Sequence, residues 1–369
     1  MNFIGGPAAG HEVASLIMNS PSNTIVDLKG LTPSSLDRFC SETLGQKPGQ
    51  GTRVAVLLFR KHIENVDAMT DLNRPFREQL KRHALISTLT VERRSTSEDR
   101  TEKLLYRLTD DNTIEGVLIP GPGGRLTLCV SSQVGCASGC GFCLTGSGGL
   151  IRNLTVAEIV NQVFAAQTIA GDQVISNIVL MGTGEPLSNY ESVTSFIEIA
   201  TDQNGMGFSP RKVTLSTCGL APMIEKLAND KVDVSLAVSL NATTNEVRDR
   251  IMPVNRTYPL ERLLQALRYY TERTGRTVTI EYVLFRGLND SNDDMQRLMD
   301  LLQGLPCMIN LLLFNPFPGC TFERPERERA SIFRDTLVSN GFVTVVRSSR
   351  GRDIHAACGQ LRAAHSSSS

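Results

Sequence analysis

Cys136-Ala-Ser-Gly-Cys140-Gly-Phe-Cys143 presents three thiols from one short loop, a spacing that lets all three reach a single inorganic centre. Structural zinc sites favour four protein ligands, often as two CxxC-type pairs, and 4Fe-4S clusters normally take four thiolates. A CxxxCxxC loop with no evident fourth partner therefore suggests an iron centre whose last position belongs to something exogenous. The competing reading is a structural zinc site. Two more cysteines stand outside the triplet. Cys129 lies in Leu126-Thr-Leu-Cys-Val-Ser131, where apolar and polar residues alternate as in a half-buried strand, and it falls on the face opposite Leu126, Leu128 and Val130. Cys358 sits in Gly351-Arg-Asp-Ile-His-Ala-Ala-Cys358-Gly-Gln360, a stretch too polar for a core segment. Either one alone reads as a quiet structural thiol, as do Cys40, Cys218, Cys307 and Cys320.

The elements that must position these residues alternate. After the triplet, helix and strand signals succeed one another to near the end: helix Thr155 to Ala170, strand Ile178 to Met181, helix Tyr190 to Ala200, strand Val213 to Ser216, helix Pro222 to Asn229, strand Val232 to Leu240. Helix Pro259 to Thr274, strand Val278 to Phe285, helix Asp290 to Gly304, strand Ile309 to Phe314, helix Arg327 to Asn340 and strand Val343 to Arg347 complete the series. With the strand at Leu126 this gives about six barrel strands and a terminal one. The expected fold class is α/β, a partial (β/α)6-type barrel, with an open doubly wound sheet as the alternative.

Upstream, residues 1–23 are rich in Gly, Ala, Ser, Pro and Asn and are expected to form a loosely ordered leader. From 24 to 85 the pattern is helical, predicting a small accessory domain with positive residues at Arg53, Arg60, Lys61, Arg74, Arg77, Lys81 and Arg82. Glu64, Asp67, Asp71 and Glu78 dilute them, so a face for RNA phosphates and an ordinary solvated surface are both open. Ile86 to Val91, Lys103 to Leu108 and Ile114 to Ile119 have strand character, with a loop or hairpin between Glu92 and Glu102, and residues 86–121 are read as a β linker. The barrel is assigned to 122–350 and a tail carrying Cys358 to 351–369.

Length and composition narrow the class. A chain of 369 residues buries a large core without disulfides, and Lys+Arg equals Asp+Glu at 38 each, so net charge points to no polyanionic partner. Nine cysteines with no secretory signal and no long apolar span are expected to be reduced thiols of a cytoplasmic protein with no membrane association.

In parallel barrels the loops after the strands form the active face. Gly182-Thr-Gly-Glu-Pro-Leu187, Ser216-Thr-Cys-Gly219, Ser239-Leu-Asn241 and Asn315-Pro-Phe-Pro-Gly319 each end a predicted strand. Singly, each is an ordinary turn. Together on one rim they form a polar constellation: Gly184 permits close backbone approach, Glu185 can take an ammonium group, and Ser216, Ser239 and Asn315 can hydrogen-bond a ribose, a carboxylate or a base edge.

These motifs, with Val130-Ser-Ser-Gln-Val-Gly-Cys136, Arg152-Asn-Leu-Thr155, Leu215-Ser-Thr217 and Ala357-Cys-Gly-Gln-Leu361, resemble the RlmN/Cfr family of radical S-adenosylmethionine (SAM) RNA adenine methyltransferases, in register from about Thr24 to Leu361. The resemblance implies a radical SAM barrel with a 4Fe-4S cluster on Cys136, Cys140 and Cys143, and an RNA-binding role for the N-terminal helical domain. It also implies SAM contacts at Gly184, Glu185, Ser216, Ser239, Leu240, Asn241 and Asn315. Two SAM molecules per turnover are implied: one methylates Cys358, and the second yields a radical that activates that methyl group for addition to adenine. Cys129 would release the product through a transient disulfide with Cys358. Glu115, in Ile114-Glu-Gly-Val117, stands where the family places the base that removes the ring proton.

The implied partners are 23S ribosomal RNA, tRNA as a further candidate, and an electron-donor protein such as a flavodoxin, with the chain acting as a monomer. Gly184-Glu-Pro-Leu187 and Asn315-Pro-Phe-Pro-Gly319 look like the RlmN branch, which methylates carbon 2, rather than the Cfr branch, which methylates carbon 8. A non-catalytic, metal-bearing RNA-binding protein is the alternative of another class. Asn241 replaces the family's usual His, and Thr183 its usual Met.

Overall fold

The computed structural model describes residues 25–361, so the expected leader over 1–23 and the end of the tail lie outside the described residues. The first unit is helical. Strands β1 (Val26–Asp27) and β2 (Ala84–Leu85) pair in parallel and close it, enclosing helices α1 (Pro33–Arg38), α2 (Gln50–Ala55) and α3 (Arg74–His83). Thr32 and Asn73 start α1 and α3 by accepting the Ser35 and Phe76 N–H groups, each with a proline in the first turn. Leu36, Val54, Leu58, Phe59, Phe76 and Leu80 fill the interior.

The expected strand from Ile86 to Val91 is corrected. The chain leaves β2 at Leu85 and begins β3 (Thr90–Thr96) later, so much of the charged stretch read as a loop is strand. β3 is the outermost strand of its sheet and is largely exposed, which removes the apolar alternation a sequence reader relies on and suits the charges that protect sheet edges. It pairs antiparallel with β4 (Glu102–Arg107), which pairs with β5 (Thr113–Pro120), which in turn pairs with β6 (Leu126–Cys129).

From β6 onward the sheet is parallel. A short antiparallel ribbon, β7 (Gln133–Gly135) with β8 (Leu150–Asn153), brackets the cysteine loop. Then follow α4 (Val156–Ala170), β9 (Ile175–Leu180), α5 (Tyr190–Thr201), β10 (Val213–Thr217), α6 (Ala221–Asn229), β11 (Ser235–Ser239), α7 (Asn245–Ile251), α8 (Leu260–Thr274), β12 (Val278–Leu284), α9 (Asn292–Leu302), β13 (Cys307–Leu313), α10 (Arg327–Ser339) and β14 (Thr344–Arg347). The ten-stranded sheet runs β14-β13-β12-β11-β10-β9-β6-β5-β4-β3, open at both ends, and is parallel from β14 to β6. Alternation thus produced the predicted partial barrel, with one helix, α7, beyond the prediction. Reciprocal caps at Thr155 with Glu158 and at Ser291 with Asp294 fix the starts of α4 and α9, so each crossover enters at a set place.

The helical unit is keyed onto the barrel by Lys29. This fully buried ammonium bonds Glu64 and the Asn161 side-chain oxygen of α4 (2.6 Å) and lies 4.1 Å over the Phe164 ring. Arg60 adds a bond to the Gln203 carbonyl (2.5 Å).

Candidate active site

The C-terminal ends of the parallel strands surround a cavity of about 1050 Å³, counted out to its open mouth. Cys136, Cys140 and Cys143 line one wall, and Gly184, Glu185, Ser216, Ser239 and Asn315 line the others. Cys358 closes it from the tail.

The triplet loop is fixed by its backbone. The Cys136 N–H donates to Gly149 O (2.8 Å), the Gly141 N–H to Ile251 O (2.9 Å) and the Cys143 N–H to Cys140 O (3.1 Å). Burial pushes the Cys136 and Cys140 thiols up, with Ser138 partly offsetting this at Cys136. Iron coordination reverses that balance by taking the thiolate directly. Among the described residues no three His, Cys, Asp or Glu side chains converge on a point able to hold one metal ion.

The opposite wall is a built cradle. Gly184 has φ +109°, and a Cβ there would lie 2.6 Å from the Gln133 Cβ, so only glycine leaves this backbone in place. Glu185 is buried and accepts the Cys218 N–H (2.7 Å) and the Leu187 N–H (3.0 Å). Burial raises its carboxyl above the ordinary value, the two N–H groups working against that. Its partners are these backbone N–H groups and the Thr217 and Cys218 side chains, none of them basic, and a buried carboxylate facing a cavity fits an incoming ammonium group. The Asn315 side-chain oxygen accepts from Arg324 (3.0 Å), while its amide nitrogen donates to Cys358 O (3.4 Å). Leu240 is buried in the core, and Asn241 is spent elsewhere: at φ 58° its side-chain oxygen accepts the Val283 N–H (2.8 Å). Neither lines the cavity.

The tail reaches the site without a helix or strand of its own. Gly351 donates to Asp99 (3.0 Å), Asp353 accepts from Ser97 (2.5 Å) and from the Glu98 N–H (3.1 Å), and Lys103 donates to His355 O (3.3 Å). At its far end the Leu144 N–H donates to Gly359 O (2.7 Å) and Thr145 to Leu361 O (2.6 Å), tying the tail to the triplet loop. Ala356 and Leu361 pack with Val117 and Cys129 in a small apolar cluster, which places Cys129 beneath the segment carrying Cys358. Burial pushes the Cys129 thiol up, and the Cys358 thiol beside it adds to the effect. Burial first, then Glu281 and Cys143, pushes the Cys358 thiol up to about 11, although its surface opens to the cavity.

Glu115 is buried on β5 and pairs with Lys103 (3.1 Å), the lysine that also holds the tail. Val117 stands directly opposite Cys129, so Glu115, two residues back, shares the Cys129 face of the sheet. It lies outside the cavity lining. Residues at the site that sequence reasoning passed over are Gln133, Cys218 and Glu281. Cys218 had a signal, since it stands within the Ser216-Thr-Cys-Gly219 rim motif.

Residues 26–86 match the ribosomal RNA large subunit methyltransferase N-terminal domain, and residues 130–302 match the radical SAM superfamily. The dual-specificity RNA methyltransferase RlmN of Syntrophotalea carbinolica is 46% identical over 92% of this chain and 90% of its own length. The chain belongs to the RlmN family of radical SAM methyltransferases. The RlmN of Geobacter sulfurreducens is 47% identical over 92% of this chain and 93% of its own. A crystal structure of a radical SAM methyltransferase from Sphaerobacter thermophilus superimposes with a TM-score of 0.84 at 42% identity, covering 91% of this chain and 99% of that one. Membership in the radical SAM superfamily brings a 4Fe-4S cluster and SAM, and the triplet, the Gly184 cradle and Glu185 fit that pair. The RlmN N-terminal match coincides with the helical unit closed by β1 and β2.

Proposed function

We propose that this chain methylates carbon 2 of adenine in 23S ribosomal RNA, with tRNA as a second substrate, and that Cys358 carries the methyl group. The observation that carries this reading is a cysteine outside the triplet opening onto the triplet's cavity, with a second, Cys129, packed under its segment. When bound, the cluster and two SAM molecules supply a methyl group and the one-electron power to activate it, as suits a ring carbon too poorly nucleophilic for polar transfer. Cys136, Cys140 and Cys143 hold the cluster, Gly184 and Glu185 seat SAM with Ser216, Ser239 and Asn315, and Leu240 and Asn241 shape the wall behind them. Cys358 accepts the methyl group on sulfur and presents it to the base. Glu115 takes the ring proton. Cys129 then attacks the Cys358 sulfur, so that an S–S bond forms as the S–C bond breaks; the S–C electron pair leaves with the adenine-bound carbon, which takes up a proton to become the product's methyl group, and a cellular thiol reductant restores both cysteines. The helical unit grips RNA; Arg38, Lys47, Arg74 and Arg82 are among its exposed cations, whereas Lys61 and Lys81 are already paired with Asp71 and Asp67. A monomer served by a flavodoxin-type electron donor in the cytoplasm completes the reading. Among the described residues no helix is long and apolar enough to cross a membrane.

Nucleoside mass spectrometry of RNA treated anaerobically with reconstituted protein, SAM and reductant tests this. The expected product is 2-methyladenosine. Methylation confined to carbon 8 overturns the assignment, and colourless zinc-loaded protein that cleaves no SAM overturns the chemistry.

A further inference from the structure

Arg248, on α7, heads the fully buried side chains of the described residues by size, with 0% exposure. Charged groups are almost never placed so without a counter-ion. Its guanidinium donates to Cys218 O (2.8 Å), Leu240 O (3.0 Å), Ser239 O (3.2 Å) and Tyr258 O (3.4 Å), and to the side-chain oxygen of Asn255 (3.0 Å). None of these acceptors is a carboxylate. The adjacent Asp249 directs its own carboxylate to the Asn255 amide (2.7 Å). Burial draws the guanidinium down to about 10, which leaves it a cation at neutral pH. Neutral acceptors therefore satisfy its N–H groups without balancing its charge.

The position of that charge is informative. Cys218 follows the last residue of β10, Ser239 ends β11, and both line the cavity, so a cation bonded to their carbonyls stands one peptide behind the wall. Cys218 also touches the triplet loop, its Sγ lying 3.6 Å from the Ser138 hydroxyl. Ser138 stands between Cys136 and Cys140.

The geometry points to Arg248 as the fixed counter-charge of the iron–sulfur centre, a positioning residue whose buried cation makes that centre easier to reduce. A cluster on three thiolates is net anionic when oxidised and more so once reduced, so a fixed positive charge stabilises the reduced state more. Dry surroundings keep salt from screening it. Holding the guanidinium on strand-end carbonyls keeps it from collapsing onto the thiolates, which leaves them free to bind iron. This inference rests on the cluster reading of the triplet.

The test is a redox titration of the anaerobically reconstituted protein without SAM, followed by the electron paramagnetic resonance signal of the reduced cluster. Arg248→Gln keeps donors at the carbonyls and removes the charge, whereas Arg248→Lys keeps the charge and loses the fork. The expected result is a midpoint potential shifted to more negative values in Arg248→Gln and held near native in Arg248→Lys. A native potential in both variants, or an equal shift in both, overturns the inference. Should the glutamine variant fail to assemble a cluster, the lysine variant decides, because a potential displaced there means that the fork and not the charge matters. Native protein that forms no 4Fe-4S signal refutes the functional reading itself, an outcome distinct from an unmoved potential on an intact cluster.

Discussion

Replacing Asp99 by asparagine tests how the Cys358 segment is held. Asp99 accepts the Gly351 N–H at the start of the tail (3.0 Å) and the Thr101 N–H of its own turn (3.0 Å), with Arg350 4.0 Å away. Burial alone would raise its carboxyl, but hydrogen bonds from Thr101 and Gly351 outweigh that and lower it from 3.8 to about 2. At about 1.36 kcal/mol per pH unit the gap corresponds to about 2.5 kcal/mol. The side chain is 30% exposed, so solvent screening reduces the usable part to about 1 kcal/mol. Since the folded value lies below the unfolded one, the contribution is complete above about pH 5 and is lost as pH falls toward about 2. Hydrogen exchange of the 350–361 amides, with intrinsic rates divided out, is the assay. Asp99→Asn should open this segment about fivefold more at pH 7, as about 1 kcal/mol requires, without changing exchange in β9 to β13. Acidification should open the native tail more steeply than the variant's, in which Asp353 is the one clasping carboxylate of the two left to titrate. Equal exchange in the two proteins at pH 7, or parallel acid opening, would refute the clasp.

Cys358→Ala should keep the cluster's visible absorption and lose methyl transfer, whereas Cys129→Ala should methylate Cys358 yet retain RNA as a covalent adduct on a denaturing gel. Gly184→Ala places a Cβ 2.6 Å from the Gln133 Cβ at φ +109°, and calorimetry should find SAM affinity down at least about tenfold. Lys29→Met strands the Asn161 and Glu64 oxygens at the junction between the helical unit and α4. Thermal unfolding should report a loss of about 3 kcal/mol. In turnover assays the KM for RNA should rise more than kcat falls, because the cavity itself is untouched.

The barrel was legible because its strands and helices carry their own period: buried Ile178, Leu180, Leu215, Val238, Ile280 and Leu311 recur in short runs bounded by capped helices. The triplet was legible because its three ligands are contiguous in sequence. What stayed hidden depends on burial or on long separation. Arg248 in Glu246-Val-Arg-Asp-Arg250 reads as one more charge on a solvated helix, and only the fold places it beneath the ends of β10 and β11. Lys29 looks like a surface lysine for the same reason, since Asn161 lies 132 residues away. β7 and β8, of three and four residues, are too short to carry a strand period.

The tail makes the physical limit clearest. Sequence marked Cys358 as too polar a neighbourhood for core, which is correct as far as it goes, because no ladder or helix holds residues 348–361. Their hold comes from Asp99, Ser97 and Lys103 at one end and from the triplet loop at the other, groups more than 200 residues distant. Leu144 follows the last triplet cysteine and bonds Gly359, where φ is +81° and an added Cβ would stand 3.0 Å from Phe142 O, so a side chain is disfavoured there. Folding of the triplet loop and placement of Cys358 are therefore one structural event. Gly359→Ala should consequently impair both: cluster retention after desalting and methylation of Cys358 should fall together. Loss of Cys358 methylation with full cluster retention would separate them and refute the coupling.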